Sequence, residues 1–259
     1  MKLLIRDLRI SFGERTVVAL EQLAIDEGEI VGLVGESGSG KSLTALATLG
    51  LAEAAGATVE GSIRLNGVEL IGLSARRMRD IRGRRIAMIF QNPVSAFTPV
   101  SRVGDVFIRA LRLHGASRGD ANSRAHVALR KTMLSPELLH RYPHELSGGQ
   151  AQRIAIALAV ALRSELLLAD EPTSALDVTV QAEIVELLRF LREREGMSLL
   201  FISHDLAVVA QLCDRIAVMR RGRAVETGLT GDVLLRPVDS YTRELIAAVP
   251  RLGAGKPPS

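Results

Sequence analysis

The chain has 259 residues and one cysteine, Cys213, so an intramolecular disulfide framework is excluded. A single thiol also cannot supply a cysteine-clustered zinc or iron–sulfur site. It agrees with a reducing compartment, and Cys213 is expected to be a small, partly buried residue without chemistry. Long apolar runs are missing too. No stretch approaches the roughly 20 residues of a membrane span, and the longest, Ile154 to Leu162, reads as a buried helix. Charges inside the opening segment Met1 to Ile10 predict a β-strand and no secretion signal. Lysine is scarce (Lys2, Lys41, Lys131 and Lys256), so arginine supplies most of the positive charge behind a net charge of +4. Arginines gather at 76, 77, 79, 82, 84 and 85, but no aromatic residues interleave with them for base stacking. That segment reads as a solvated face with a few structural ion pairs, and nucleic acid is not an expected partner.

The segment Gly28 to Gly35 is β-branched and apolar, as a buried strand would be. It runs into Gly35-Glu-Ser-Gly-Ser-Gly-Lys41-Ser42, which fits the phosphate-binding loop G-x-x-x-x-G-K-[ST]. The helix formers from Leu43 to Leu51 place this loop at a helix N-terminus, where free N–H groups favour negative charge. Lys41 is expected to reach the β- and γ-phosphates of a nucleotide and the Ser42 hydroxyl to bind Mg²⁺. Far away, Leu146-Ser-Gly-Gly-Gln150 adds a second glycine-rich anion site that a simple nucleotide-binding loop does not need. The chain carries one nucleotide core, one such signature and no internal repeat. Two chains are therefore expected for two complete sites, each closing over nucleotide in cis and in trans.

Three further apolar runs end in polar residues. Leu166 to Ala169 leads into Asp170, placed to hold Mg²⁺ through water, and Glu171, suited to polarising an attacking water. Ser198 to Ser203 leads into His204, a candidate γ-phosphate contact at the strand edge where parallel sheets assemble their sites. Arg85 to Phe90 leads into Gln91, a candidate for both Mg²⁺ and the attacking water.

With these pieces in order, the chain resembles the ATP-binding cassette (ABC) family along nearly its whole length. The resemblance implies that Phe12 stacks on adenine. It also implies that Gly35, Glu36, Ser37, Gly38, Ser39, Gly40, Lys41 and Ser42 form the Walker A loop around ATP. Gln91 would be the Q-loop residue, and Ser147, Gly148, Gly149 and Gln150 the signature. Asp170 would close Walker B, with Glu171 as catalytic glutamate, Asp177 as the D-loop aspartate and His204 as the switch histidine. Val34 to Ser42, Arg82 to Pro93, Tyr142 to Gln150 and Ala175 to Ala182 look most like ATPase subunits of oligopeptide, dipeptide and nickel importers. That likeness implies an ATP-hydrolysing subunit at the cytoplasmic face of the inner membrane, peripheral to two transmembrane permease subunits. Its partners would include a second ATPase subunit, identical or different, and indirectly an extracytoplasmic solute-binding protein. Peptides, nickel and metal chelates are the implied solutes. The alternative is a non-transport ABC ATPase, such as an accessory subunit of a phosphonate-degrading complex.

The expected fold is α/β, a P-loop NTPase with a RecA-like, mostly parallel sheet, an antiparallel β part and an inserted helical subdomain. Alternation up to about residue 30 and over 60–69 gives the antiparallel strands. Strand signals vanish over 93–161, where helical spacing appears at 102–113 and 122–133. The nucleotide-binding domain is assigned to 1–235, with its core at 1–92 and 162–235 and its helical subdomain at 93–161. Residues 236–259 are assigned to a short C-terminal tail, Gly/Pro-rich from Gly253 and expected to be mobile.

Overall fold

The computed structural model describes residues 1–174 and 176–248. Strands β1 (Leu3–Phe12), β2 (Arg15–Ile25), β4 (Thr58–Leu65) and β5 (Val68–Glu69) form an antiparallel sheet in the order β2-β1-β4-β5. The second sheet runs β10-β9-β3-β8-β7-β6, from β3 (Ile30–Val34), β6 (Ile86–Ile89), β7 (Leu166–Asp170), β8 (Ser198–Ser203), β9 (Arg215–Arg220) and β10 (Arg223–Leu229). Its strands are parallel from β9 to β6, and β10 closes the edge antiparallel to β9. Both sheets agree with the expected architecture.

β3, β7 and β8 are buried at every position because both faces of the parallel sheet are covered. The period of two then divides each strand between two cores. Ile30, Val34, Leu167, Ala169, Leu199 and Phe201 join the cluster shared with the helical subdomain. Their neighbours Val31, Leu33, Leu166, Leu168, Leu200 and Ile202 join the one shared with the antiparallel sheet.

The helices are α1 (Lys41–Thr48), α2 (Ala75–Ile81), α3 (Pro93–Ala96), α4 (Val103–Leu113), α5 (Arg118–Lys131), α6 (Gly148–Leu162), α7 (Val178–Glu195), α8 (Leu206–Leu212), α9 (Thr230–Leu235) and α10 (Ser240–Ala247). In α4 the residues Val103, Phe107 and Leu111, one turn apart, are buried and pack toward α5 and α6. α5 begins four residues before the expected 122, because the Ser117 hydroxyl caps it by accepting from Asp120 N. The first helix after the phosphate loop stops at Thr48, not Leu51. Arg82 closes that end by donating to the carbonyls of Leu49 and Gly50 at 2.8 and 3.0 Å. One member of the arginine-rich segment is thus a helix cap, and another, Arg85, pairs with Glu165. Cys213 is buried, more fully than the partial burial expected, and burial pushes its thiol above the usual range.

Within the segment 236–259, residues 240–247 form α10, and Tyr241 is buried in the core. The Gly/Pro-rich stretch from Gly253 lies outside the described residues. Among the described residues no helix is long and apolar enough to cross a membrane.

The phosphate loop leaves β3 at Gly35, whose φ is 145°. A Cβ there would lie 2.1 Å from the carbonyl oxygen of Met219 on β9, so only glycine lets loop and strand touch. Gly35→Ala is expected to cost at least about 2 kcal/mol of stability, read by urea unfolding; an unchanged midpoint would show that the contact is not tight.

Candidate functional site

In a parallel sheet the C-terminal ends of the strands share one edge, and loops leaving them converge. Here that edge gathers the loop after β3, Gln91 after β6, Asp170 and Glu171 at the end of β7, and His204 after β8. A cavity of about 320 Å³ opens there, lined by Val17, Ser37, Gly38, Gly40, Lys41, Ser42, Leu43, Gln91 and Glu171.

Lys41 is buried at the start of α1. Its Nζ donates to the carbonyls of Gly35 and Glu36 at 2.7 and 2.9 Å and to Ser39 Oγ at 3.4 Å. Burial lowers its ammonium from the usual lysine range, opposed by the charges of Glu171, Asp170 and Glu36. The lysine therefore rests on its own loop, with its charge poorly solvated. An anion entering the loop would supply the partner this cation lacks.

Ser42 Oγ donates to Asp170 Oδ1 at 2.9 Å. Burial raises the Asp170 carboxyl above its usual range; the hydrogen bond from Ser42 and the charge of Lys41 oppose this, and the charge of Glu171 adds to it. A hydroxyl and a buried carboxylate side by side are hard oxygen donors that fit Mg²⁺. No group of three or more His, Cys, Asp or Glu side chains suited to a metal occurs among the described residues. An ion here would thus take its other oxygens from phosphate and water.

Glu171 adopts the left-handed conformation, with φ 46°, and its N–H donates to Ile202 O of β8 at 2.9 Å. Its carboxylate is held from two sides. Gln91 Nε2 donates to Oε2 at 3.0 Å, and His204 Nδ1 lies 3.2 Å from Oε1. The three sequence-predicted catalytic residues are thereby brought together at the mouth of the phosphate loop. Ser174 joins them, donating to Glu171 O at 3.1 Å and lying 3.4 Å from Gln91 Nε2. The family resemblance places Ser174 at the start of the D-loop motif that ends at Asp177, but the sequence alone did not show its contact with Glu171 and Gln91. Its position three residues after Glu171, where a serine readily bonds back to the backbone, was the available signal.

Six other expected site residues, one of them aromatic, stand apart from the cavity. Ser147, Gly148, Gly149 and Gln150 do not line it. Ser147 caps α6, accepting from Gln150 N at 3.2 Å, while Gln150 Oε1 accepts from Ser147 N at 3.1 Å. Gly149 is pressed against Val180, and a Cβ there would come within 2.6 Å of that side chain. Asp177 is exposed and caps α7, accepting from Val180 N at 3.0 Å. Phe12 ends β1 at the hairpin tip, half-exposed and outside the lining, where Val17 stands instead.

The sequence pattern of the family described as ABC transporter matches residues 18–174, more than half of the chain. The chain belongs to the ABC transporter family. It is 46% identical, over 97% of its length and 78% of the relative's, to a probable peptide ABC transporter ATP-binding protein of Sinorhizobium fredii. It is 44% identical, over 98% of its own length, to a glutathione import ATP-binding protein of Escherichia coli, of which it spans only 43%. Among solved structures, the dimeric ATP-binding cassette MJ0796 bound to ADP and Pi superposes with a TM-score of 0.75 at 28% identity. That match covers 88% of this chain and 98% of that one. Membership makes the chain an ABC-type ATPase and its α/β core a P-loop NTPase.

In nucleotide-free, metal-free protein the ionised Asp170 is a cost, because its folded-state titration lies above the unfolded one. That cost is absent at low pH, where both states are protonated, and grows as pH rises through the usual aspartate range to the raised folded value. Asp170→Asn should therefore raise the neutral-pH thermal midpoint by about 2–4 °C, with the gain fading in acid. A midpoint that falls at neutral pH would refute this electrostatic account.

Proposed function

We propose that this chain is the ATP-hydrolysing subunit of a membrane importer for peptide-class solutes, working as one of a pair of cassettes. One observation carries the reading: the constellation of Lys41, Ser42, Asp170, Glu171, Gln91 and His204 is assembled within one chain, whereas Ser147 to Gln150 stands apart from it at the N-terminus of α6, with Ser147 and Gly148 exposed. The chain thus presents two halves of a nucleotide site that do not meet. A second cassette turned to face the first would complete both, a geometry favoured by the dimeric state of the structural relative.

In this reading the N–H groups from Gly38 to Ser42 and the Lys41 ammonium hold the β- and γ-phosphates, and the half-exposed ring of Phe12 offers a platform for adenine. Ser42, Asp170 and Gln91 would hold Mg²⁺, which when bound neutralises phosphate charge. Glu171 accepts a proton from the attacking water, with Gln91 and His204 fixing its carboxylate. The partner chain's signature would place a serine hydroxyl and glycine N–H groups on the γ-phosphate, and Asp177 lies beside that interface. ATP then bridges two cassettes only in the closed state, and this differential affinity drives closure. Hydrolysis removes the bridging phosphate.

Closure would be passed to two permease subunits at the cytoplasmic face of the membrane, beside Gln91 and α3. There Phe90 and Val100 are exposed and a cavity lined by Ala96, Val106, Ala110 and Leu113 opens. Peptide-class uptake is preferred to nickel, metal chelates or phosphonate metabolism because the relatives aligned over nearly the whole chain carry peptide and glutathione import names.

Glu171→Gln should retain ATP binding, lower turnover by about 10²–10⁴-fold and accumulate ATP-bound dimers in size-exclusion chromatography; near-normal hydrolysis would remove Glu171 from its role. Ser147→Arg should abolish ATPase activity while lowering the thermal midpoint by only about 2–4 °C, the cost of the lost helix cap, whereas unaltered steady-state turnover would count against a site completed in trans.

A further inference from the structure

The Glu36 backbone is bonded on both sides. Its carbonyl accepts from Lys41 Nζ at 2.9 Å, and its N–H donates to the hydroxyl of Tyr241 at 3.0 Å. Tyr241 lies 205 positions away, on the C-terminal helix α10, and is only 6% exposed. Its ring is fixed from the other side by the Arg220 guanidinium, 4.6 Å from the ring centroid. The helix itself is anchored. Asp239 caps it, accepting from Tyr241 N and Thr242 N at 2.8 and 3.3 Å. The Glu226 carboxylate of β10 accepts from the N–H groups of Val238 and Asp239 at 2.9 and 3.1 Å. The hydroxyl therefore arrives at the phosphate loop from a rigid support.

We propose that Tyr241 is a positioning residue for the nucleotide, its hydroxyl fixing the Gly35–Glu36 peptide, whose carbonyl accepts from Lys41 Nζ at 2.7 Å, and coupling α10 to occupancy of the phosphate loop. The proposal rests on the assignment of that loop to ATP. Two hydrogen bonds in series through one peptide, Glu36 N–H to the Tyr241 hydroxyl and Lys41 Nζ to the Gly35 carbonyl, link the helix to the lysine. When Lys41 turns onto phosphate it releases the Gly35 carbonyl, and the Gly35–Glu36 peptide then depends on Tyr241 for its orientation. Without the hydroxyl, the loop must also be ordered at the moment of binding, which weakens affinity. Because linkage is reciprocal, nucleotide should in turn steady α10.

Tyr241→Phe removes only the hydroxyl and leaves the ring to pack against Arg220. In the full chain, Tyr241→Phe should raise the Kd for MgATP by about 3–10-fold, the scale of one net hydrogen bond, while the thermal midpoint without nucleotide stays within about 2 °C. In hydrogen exchange, MgATP should slow the amides of 240–247 in the unmodified protein and do so less in the variant. Equal Kd values with equal protection would overturn the coupling, and a loss of affinity matched by a large fall in the nucleotide-free midpoint would reduce Tyr241 to a structural residue. Failure of the unmodified chain to bind MgATP at all would overturn the ATP assignment itself, and this inference with it.

Discussion

The site depends on the common direction of β3, β6, β7 and β8. Four parallel strands end at one edge, so a lysine, a glutamine, two carboxylates and a histidine distant in sequence fall within reach of one another. The carboxylate of Glu171 shows the consequence most directly, because its two oxygens face Gln91 from the end of β6 and His204 from the end of β8. If β7 slipped by one residue, Asp170 and Glu171 would exchange faces and both contacts would be lost. The close packing of both cores guards against that slip, since a shift would exchange Leu166 and Leu168 with the smaller pair Leu167 and Ala169, overfilling one core and leaving space in the other.

That edge is charged before anything binds. Lys41 and Asp170 are buried and displaced in opposite directions from their usual titration, each mainly by loss of water. Such groups gain most from a ligand that brings the opposite charge, and a phosphate with its cation brings both. The free protein thus carries a local cost that the bound state relieves. The second glycine-rich element is organised differently: Ser147 and Gln150 satisfy each other at the start of α6, and the helix end is complete as a cap while its exposed face remains available.

Much of this was legible in the sequence because it is local. The phosphate loop and the strands leading to Asp170 and His204 are each set by a few neighbouring residues whose types suit only one backbone path. The helical subdomain was legible as an absence of strand signals and as the spacing of Val103, Phe107 and Leu111. Boundaries were less legible. The start of α5 turned on the Ser117 cap, and the end of α1 is closed by Arg82, a side chain 33 residues beyond Leu49 that no local pattern could point to.

The sequence by itself determined the family and the phosphate chemistry and named the candidate site residues, since each follows from residue type and short-range order. Only the tertiary structure decided which of them meet: that Gln91 and His204 grip the same carboxylate, that Ser174 belongs with them, that Phe12 stands outside the cavity, and that Tyr241 at the far end of the chain touches Glu36. These pairings span from 3 to 205 positions. Most of them are fixed by strand order and by the packing of α10 on the sheet, quantities that arise from burying two cores at once and are written in no single segment.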